Sequence, residues 1–156
     1  MKVTVCAVGR LQGRSEERAL TDDYMSRFNQ TGRSLGWGPF YEIEVEARKG
    51  SDMAEEAVLL RRALPKGALV VGMDERGRVM SSPDFAGKLS NWADQGRDVA
   101  FVIGGADGID PALRKDADML LSFGAMVWPH KLVRVMLAEQ LYRAASIAAG
   151  GPYHRT

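Results

Sequence analysis

The sequence predicts an α/β protein with a parallel-type sheet and helices on both of its faces. Short apolar stretches alternate with longer stretches whose apolar residues recur every three or four positions, which is typical of buried strands and amphipathic helices in turn. The stretch 99–103 is wholly apolar, as expected for the centre of a parallel sheet. With 156 residues, 46% hydrophobic content and no linker or repeat, residues 1–156 are predicted to form one domain.

Five apolar stretches predict the strands. The second stretch differs from the others, because Glu42, Glu44 and Glu46 alternate with apolar residues there. This pattern predicts a strand whose glutamate face lies in water. In chain order the predicted strands are 2–9, 42–47, 68–73, 99–103 and 119–121.

Start signals and apolar spacing predict the helices. Ser15 and Ser51 suit N-cap positions, and Ser82-Pro83 and Asp110-Pro111 each combine a capping side chain with a proline at the first helical position. The last predicted helix is the longest, covers 131–149 and ends at two glycines. The segment 31–39 is predicted to be a loop.

Charge and composition narrow the class of protein. The formal net charge is only +1, but residues 131–156 hold four cations and one acid, a local +3. If the protein binds nucleic acid, its basic groups must therefore be concentrated locally. No apolar run approaches the roughly 18 residues of a membrane span and no leader pattern is present, so a cytoplasmic protein without a membrane partner is expected.

Cysteine and histidine usage gives little support to a metal site. Cys6 is the single cysteine and lies in an apolar run, so it is expected to be a buried core residue. One cysteine and two histidines do not provide the usual ligand spacings of transition-metal sites, and no metal is expected.

A glycine loop at 104–108 follows the most apolar predicted strand and precedes a predicted helix. Ligands of open α/β sheets bind beyond the carboxyl ends of the strands, and glycine lets the backbone approach a ligand closely. A plain tight turn explains such a loop equally well. The sequence lacks the dinucleotide fingerprint, the P-loop and the Gly-x-Ser-x-Gly elbow, and a second glycine loop at 9–13 is best interpreted as a structural turn.

Two C-terminal segments suggest a nucleotide-like ligand. The apolar loop at 123–129 directly precedes the last helix and could hold an adenine, although such loops are more often core connections. The tail at 152–156 places a phenol, an imidazole and a guanidinium side by side in Tyr153, His154 and Arg155. From the residues alone, the interpretation stops at an α/β domain that binds a nucleotide-like ligand.

Four motifs in order give the chain a family resemblance that covers nearly its whole length. They are FVIGGADG at 101–108, WPHKLVRV at 128–135, AEQLYRA at 138–144 and PYHR at 152–155. In this set the chain resembles the RlmH family of SPOUT-class methyltransferases, which methylate N3 of a pseudouridine in 23S ribosomal RNA. Family members commonly have Pro-Glu-Gly at 106–108 and a proline at position 131, where this chain has Ala-Asp-Gly and lysine.

The resemblance implies an alpha/beta-knot fold with a C-terminal trefoil knot, a homodimer that shares its substrate site, and S-adenosyl-L-methionine as cofactor. It implies a donor site built from three loops. By motif position, the implied cofactor-binding residues are Met73, Gly104, Gly105, Gly124, Ala125, Met126, Val127, Trp128 and Pro129.

The implied substrate is ribosomal RNA within the ribosome, and the implied catalytic residues lie in the tail. Arg155 would favour the anion formed when N3 loses its proton, His154 would accept a proton or contact the base, and Tyr153 would stack on it. Arg134 and Arg143 are candidates to meet phosphate, although a role on the helix surface explains Arg143 equally well. Two alternatives stay open: a transfer RNA methyltransferase of the same class, and a non-catalytic ribosome-binding relative.

Two further expectations concern single features. A side chain at Gly105 is expected to occupy ligand space, which would explain the glycine. The last helix carries apolar residues around much of its circumference, and a partner subunit is expected to cover them.

Overall fold

The fold is described by a computed structural model that covers residues 1–155. A short 3₁₀ helix, Arg33–Leu35, follows the first α helix. The strands and α helices are β1 (Val3–Val8), α1 (Glu16–Gly32), β2 (Phe40–Val45), α2 (Met53–Ala63), β3 (Leu69–Arg78), α3 (Ser82–Asp94), β4 (Val99–Ile103), α4 (Pro111–Asp116), β5 (Met119–Leu121) and α5 (His130–Ala148).

All strand pairs are parallel, and the strand order is β2-β1-β4-β3-β5. The predicted central strand is confirmed, because β4 lies in the middle of the sheet and each of its residues is buried. Helices α1, α3 and α5 pack on one face of the sheet through residues such as Phe28, Leu89 and Leu137. Helices α2 and α4 cover the other face through Leu60 and Leu113. The predicted α/β class with helices on both faces is confirmed.

Cys6 is a core residue, as predicted. Its side chain is fully buried under α2, and burial raises the pKa of the thiol to about 11. At neutral pH the thiol is therefore protonated and unreactive.

Several element boundaries differ from the prediction. The N-cap of α2 is Asp52 rather than Ser51, because the Asp52 side chain accepts the Glu55 N–H at 2.9 Å. The N-cap of α3 is Ser81 rather than Ser82, because the Ser81 side chain accepts the Asp84 N–H at 3.2 Å. Strand β3 continues beyond 73 to Arg78, where its pairing with β5 is irregular.

In the part of the chain that the structure describes, no helix is long and apolar enough to cross a membrane. The trefoil knot stays a prediction.

The prediction for the glutamates of β2 is wrong. Phe40 faces the core below α1, and Glu42 and Glu44 follow it on the same side of the strand. The side chain of Glu42 is only 10% exposed, whereas Ile43 on the opposite side is 36% exposed. Alternation alone revealed two faces but not which of them lies inside.

Two arginines from different helices explain the inward glutamates. Arg134 of α5 lies 2.8 Å from Glu42 and 2.7 Å from Glu44, and it also donates to the Gly9 carbonyl at 3.0 Å. Arg18 of α1 lies 2.8 Å from Glu42 and 2.9 Å from Glu44. We call these four side chains the buried ion cluster. They join α5 to β1, β2 and α1.

The charge of Glu44 is held by its neighbours. Burial raises the pKa of this carboxyl, but the Leu11 N–H at 2.7 Å and the Arg134 guanidinium outweigh burial and hold the pKa below its usual value. Arg134 itself is 2% exposed, so the expectation that it meets phosphate is wrong.

The long helix α5 is largely covered within the chain. Leu137, Leu141, Ala144 and Ala145 are buried against the core that α1 and α3 complete. The chain thus covers the core-facing part of α5, whereas Leu132 is 41% exposed and Val133 and Met136 are half-buried, and the homodimer stays a prediction.

Removing Arg134 should cost far more stability than removing an exposed arginine. Arg134→Met leaves two inward carboxylates with Arg18 alone, and breaking a buried pair in this way costs about 3–5 kcal/mol. Arg61 is the control, because its partner Asp116 has a side chain 60% exposed, and Arg61→Met should cost less than about 1 kcal/mol. Urea unfolding measures both variants. Equal decreases in the free energy of unfolding of the two variants would show that the buried ion cluster contributes no more stability than an exposed ion pair.

Candidate functional site

A cavity of about 560 Å³ lies where β3, β4 and β5 end at the carboxyl edge of the sheet. We call it the edge cavity. Three segments form its walls: residues 73–75 in the middle of β3, the glycine loop, and the apolar loop with the start of α5. This is the place where ligands bind in parallel α/β sheets.

The edge cavity brings together nearly all of the residues expected to bind cofactor. Ala125 alone of the nine is not among its lining residues. Met126 and Val127 are 74% and 78% exposed, which leaves an apolar surface open to a ligand or a partner. The expected residues that line the cavity are Met73, Gly104, Gly105, Gly124, Met126, Val127, Trp128 and Pro129.

A serine fixes the first residues of the apolar loop. The Ser122 hydroxyl accepts the Gly124 N–H at 3.0 Å and donates to the Gly124 carbonyl at 2.8 Å. Gly124 has a φ of +113°, which a residue with a side chain rarely adopts. The loop is therefore set by local geometry at its start and by helix α5 at its end.

A hydrogen bond within the glycine loop and close neighbours of its glycines explain why the loop is tight. Gly108 donates to the Gly105 carbonyl at 3.0 Å and closes the loop. A Cβ on Gly104 would overlap the Gly108 carbonyl, and a Cβ on Gly105 would lie 2.6 Å from Glu56 Oε2. A Cβ at 105 would thus meet the end of the Glu56 side chain, and because Gly105 also lines the edge cavity, the expectation that a side chain there would occupy ligand space stays a prediction.

The charged side chains that line the edge cavity are acidic. They are Asp74, Glu75 and Asp107, and no lysine or arginine lines it among residues 1–155. The side chain of Asp74 is 3% exposed and accepts the Arg76 N–H at 2.8 Å, with the Arg114 guanidinium 3.5 Å away. The lining therefore suits a neutral or cationic ligand better than an anionic one.

His130 is a cavity residue that the sequence analysis did not select. It is the first residue of α5 and lines the edge cavity near Gly9. Burial lowers the pKa of His130, and the charges of Lys131 and Arg134 lower it further. The imidazole is therefore neutral at neutral pH. The sequence feature that could have identified His130 as a site residue is its position directly after the apolar loop.

The tail packs on its own helix α5. The Tyr153 hydroxyl donates to Glu139 at 3.0 Å, and the Arg143 guanidinium lies 4.8 Å from the centre of the Tyr153 ring. Arg143 also binds Glu139 and lies 3.2 Å from His154 Nδ1. Arg155 is exposed.

The structure thus places Tyr153 and His154 against Glu139 and Arg143 of α5, and none of the three predicted catalytic residues lines the edge cavity of the same chain. A second cavity of about 470 Å³ lies between these places, and we call it the helix cavity. It shares Leu121, Phe123 and Gly124 with the edge cavity and has Glu139 in its wall.

Comparison with known proteins identifies the class. A model of predicted SPOUT methyltransferases matches residues 1–154, and the chain belongs to this family. A probable methylase family protein from Haemophilus influenzae has the same fold, with a TM-score of 0.54 over 99% of this chain and 70% of that chain at 11% identity.

Closer relatives narrow the class further. The chain is 62% identical to the ribosomal RNA large subunit methyltransferase H of Ruegeria sp. and 64% identical to that of Roseobacter denitrificans, in each case over 99% of both chains. The resemblance to the RlmH family that the four motifs indicated is confirmed.

The neutral state of His130 should appear as a pH dependence of stability. Because its pKa is lower in the folded protein than the ordinary value of 6.5, the unfolded chain takes up a proton first as the pH falls. The free energy of unfolding should therefore decrease below pH 6.5, and His130→Gln should reduce this decrease. Urea unfolding at pH 7.5 and 5.5 measures it, with His154→Gln as the matched control. An unchanged dependence in His130→Gln would contradict the assignment.

Proposed function

We propose that this protein transfers a methyl group from S-adenosyl-L-methionine to N3 of a pseudouridine in 23S ribosomal RNA, acting on ribosomes in the cytoplasm. The edge cavity carries the proposal, because all but one of the residues expected to bind the donor meet there. The large-subunit RNA substrate follows from the names of the full-length relatives.

The residues of the edge cavity fit the donor. Its volume lies within the roughly 300–1,000 Å³ of small-molecule sites. Met126, Val127 and Trp128 offer apolar surface to an adenine, and the Gly104–Gly105 backbone is bare of side chains. The acidic lining, free of lysine and arginine in the described residues, matches the positive charge of a sulfonium.

When bound, the donor supplies a methyl group already activated by its sulfonium. The main contribution of the protein is therefore to hold the acceptor nitrogen in line with that methyl. N3 of pseudouridine lies between two carbonyls and must lose a proton. A cation beside those carbonyls favours the nitrogen anion, and Arg155 is exposed and suited to this role.

The contacts of the tail separate the roles of its other residues. Burial raises the pKa of Tyr153 and the bond to Glu139 raises it further, so the phenol stays neutral and serves for stacking. A guanidinium only donates hydrogen bonds, so His154 Nδ1 accepts from Arg143 and the ring proton lies on Nε2. In this arrangement His154 donates to a base carbonyl, and the N3 proton leaves to solvent water before the methyl–nitrogen bond forms.

A homodimer completes the site in this proposal. The tail lies on α5 beyond the helix cavity, so the tail of a second subunit can meet the edge cavity of the first. Leu20 and Val79 line the helix cavity and are 45% and 68% exposed. An apolar rim of this kind is typical of a surface that a partner covers.

Methylation of ribosomes that lack the mark tests the function. The wild-type protein should add one donor-derived methyl to a pseudouridine of 23S RNA, read by mass spectrometry of RNA fragments. A variant that ends at Pro152 should bind the donor with nearly unchanged affinity in calorimetry but methylate at least about a hundredfold more slowly, because removing one group that stabilises a developing anion costs roughly 10²–10³-fold.

Arg97→Ala, at the amino edge of the sheet, is the control and should methylate normally. A mark on transfer RNA, or donor binding without any mark, would overturn the assignment. Normal turnover by the truncated protein would remove the tail from the chemistry.

If a partner subunit covers the apolar rim of the helix cavity, a charged side chain placed on that rim should weaken the homodimer. Light scattering of the wild-type protein should give twice the chain mass, and Val79→Glu should shift it toward the monomer and lower methylation. Val58→Glu is the control, because Val58 is 49% exposed on α2 on the opposite face of the sheet. A wild-type monomer, or equal effects of both variants, would contradict this interface.

A further inference from the structure

We propose that Glu56 is a positioning residue of the donor site, which supports the glycine loop from behind and is the reason that position 105 is a glycine. The inference rests on the proposed function in one respect, because it takes the edge cavity to be the donor site. Glu56 itself is not in the lining of that cavity.

The geometry places the Glu56 carboxylate directly against Gly105. Its oxygens lie 2.6 and 3.1 Å from the point where a Cβ on Gly105 would stand, so a Cβ there would push the end of the Glu56 side chain away from the loop. The φ of Gly105 lies outside the left-handed region, so its backbone would accept an alanine. An alanine at 105 would therefore displace the Glu56 carboxylate from the glycine loop without straining the backbone.

Glu56 is held in place by its helix. It lies in the first turn of α2, whose start is fixed by the Asp52 cap, and the next residue, Ala57, is buried in the core. The carboxylate is half-buried and, among residues 1–155, makes no ion pair. Its position is thus not explained by pairing with a cation.

The electrostatic surroundings show what Glu56 does instead. Burial raises the pKa of its carboxyl, and the nearby Asp107 raises it further, whereas the Gly105 N–H lowers it. The peptide group of the glycine loop is therefore the favourable partner of this carboxylate. A buried peptide N–H that lost such a partner would have to move or be left unsatisfied.

Glu56 also separates two spaces. On one side of the glycine loop lies the edge cavity, which Gly105 lines. On the other side lies a polar cleft of about 470 Å³ formed by Glu56 with Arg10, Arg48 and their neighbours. Without the carboxylate, the loop is free to shift toward this cleft, and the floor of the edge cavity shifts with it.

A double-mutant cycle on the full-length protein tests the inference. Gly105→Ala should weaken S-adenosyl-L-methionine binding about tenfold, within the range of coupling between residues in contact. Glu56→Ala should also weaken it. In the double variant, the alanine at 105 should have no additional effect, because the carboxylate that it meets is gone. Glu56→Gln keeps an oxygen for the Gly105 N–H and should bind nearly as the wild-type protein does.

Steady-state kinetics distinguish an effect of Glu56 on donor binding from an effect on the chemical step. Glu56→Ala should raise the donor KM with little change in kcat, because the loop acts on donor binding. Glu55→Ala is the matched control: Glu55 is in the same turn, its side chain is 51% exposed, and it should change neither constant. Thermal unfolding of all variants provides a readout without donor, in which Gly105→Ala should lower Tm in the wild-type background only.

The outcomes are distinct. If Gly105→Ala weakens donor binding equally in both backgrounds, a side chain at 105 obstructs the donor itself and the inference is overturned. If it lowers Tm equally in both backgrounds, the contact with Glu56 has no weight and the inference is likewise overturned. If the wild-type protein does not bind the donor, the proposed function fails, while the Tm cycle still decides whether Glu56 excludes a side chain at 105.

Discussion

The pairing of Arg134 with Glu42 and Glu44 is the interaction on which the arrangement of the site depends. Two carboxylates that face the core are tolerable only because two guanidinium groups reach them within 3 Å. Arg134 is one helical turn from the start of α5, and the apolar loop ends where α5 begins. The buried ion cluster thus fixes the helix, the helix fixes the loop, and the loop forms one wall of the edge cavity.

The charges around the two functional regions are of opposite sign. The edge cavity is lined by Asp74, Glu75 and Asp107, whereas the tail carries the exposed Arg155 and lies against Arg143, whose charge is paired with Glu139. A cationic donor and a base that becomes anionic require opposite electrostatic environments. Because the tail lies outside the edge cavity of its own chain, these two environments are separate within one chain.

The sequence was sufficient for the elements and for the residues that line the edge cavity, but not for the contacts between distant segments. The apolar stretch of β4 and the caps of α1 and α4 carry local signals, so they could be predicted to within a residue or two. The inward face of β2 could not, since alternation does not say which side is buried. The contact of Glu56 with Gly105 could not either, because nothing local links residues 49 positions apart.

The long separation along the chain also affects how the molecule forms during synthesis. Arg134 bonds to Gly9 across 125 residues, and the chain is made from its amino end. Until α5 has been synthesised, Glu42 and Glu44 lack one of their two cationic partners, and burying them early is unfavourable. The N-terminal strands therefore stay hydrated at this position, and the core closes only when the last helix arrives with the charge that completes it. While the chain is still being synthesised, the edge cavity therefore lacks the wall that the apolar loop and α5 form.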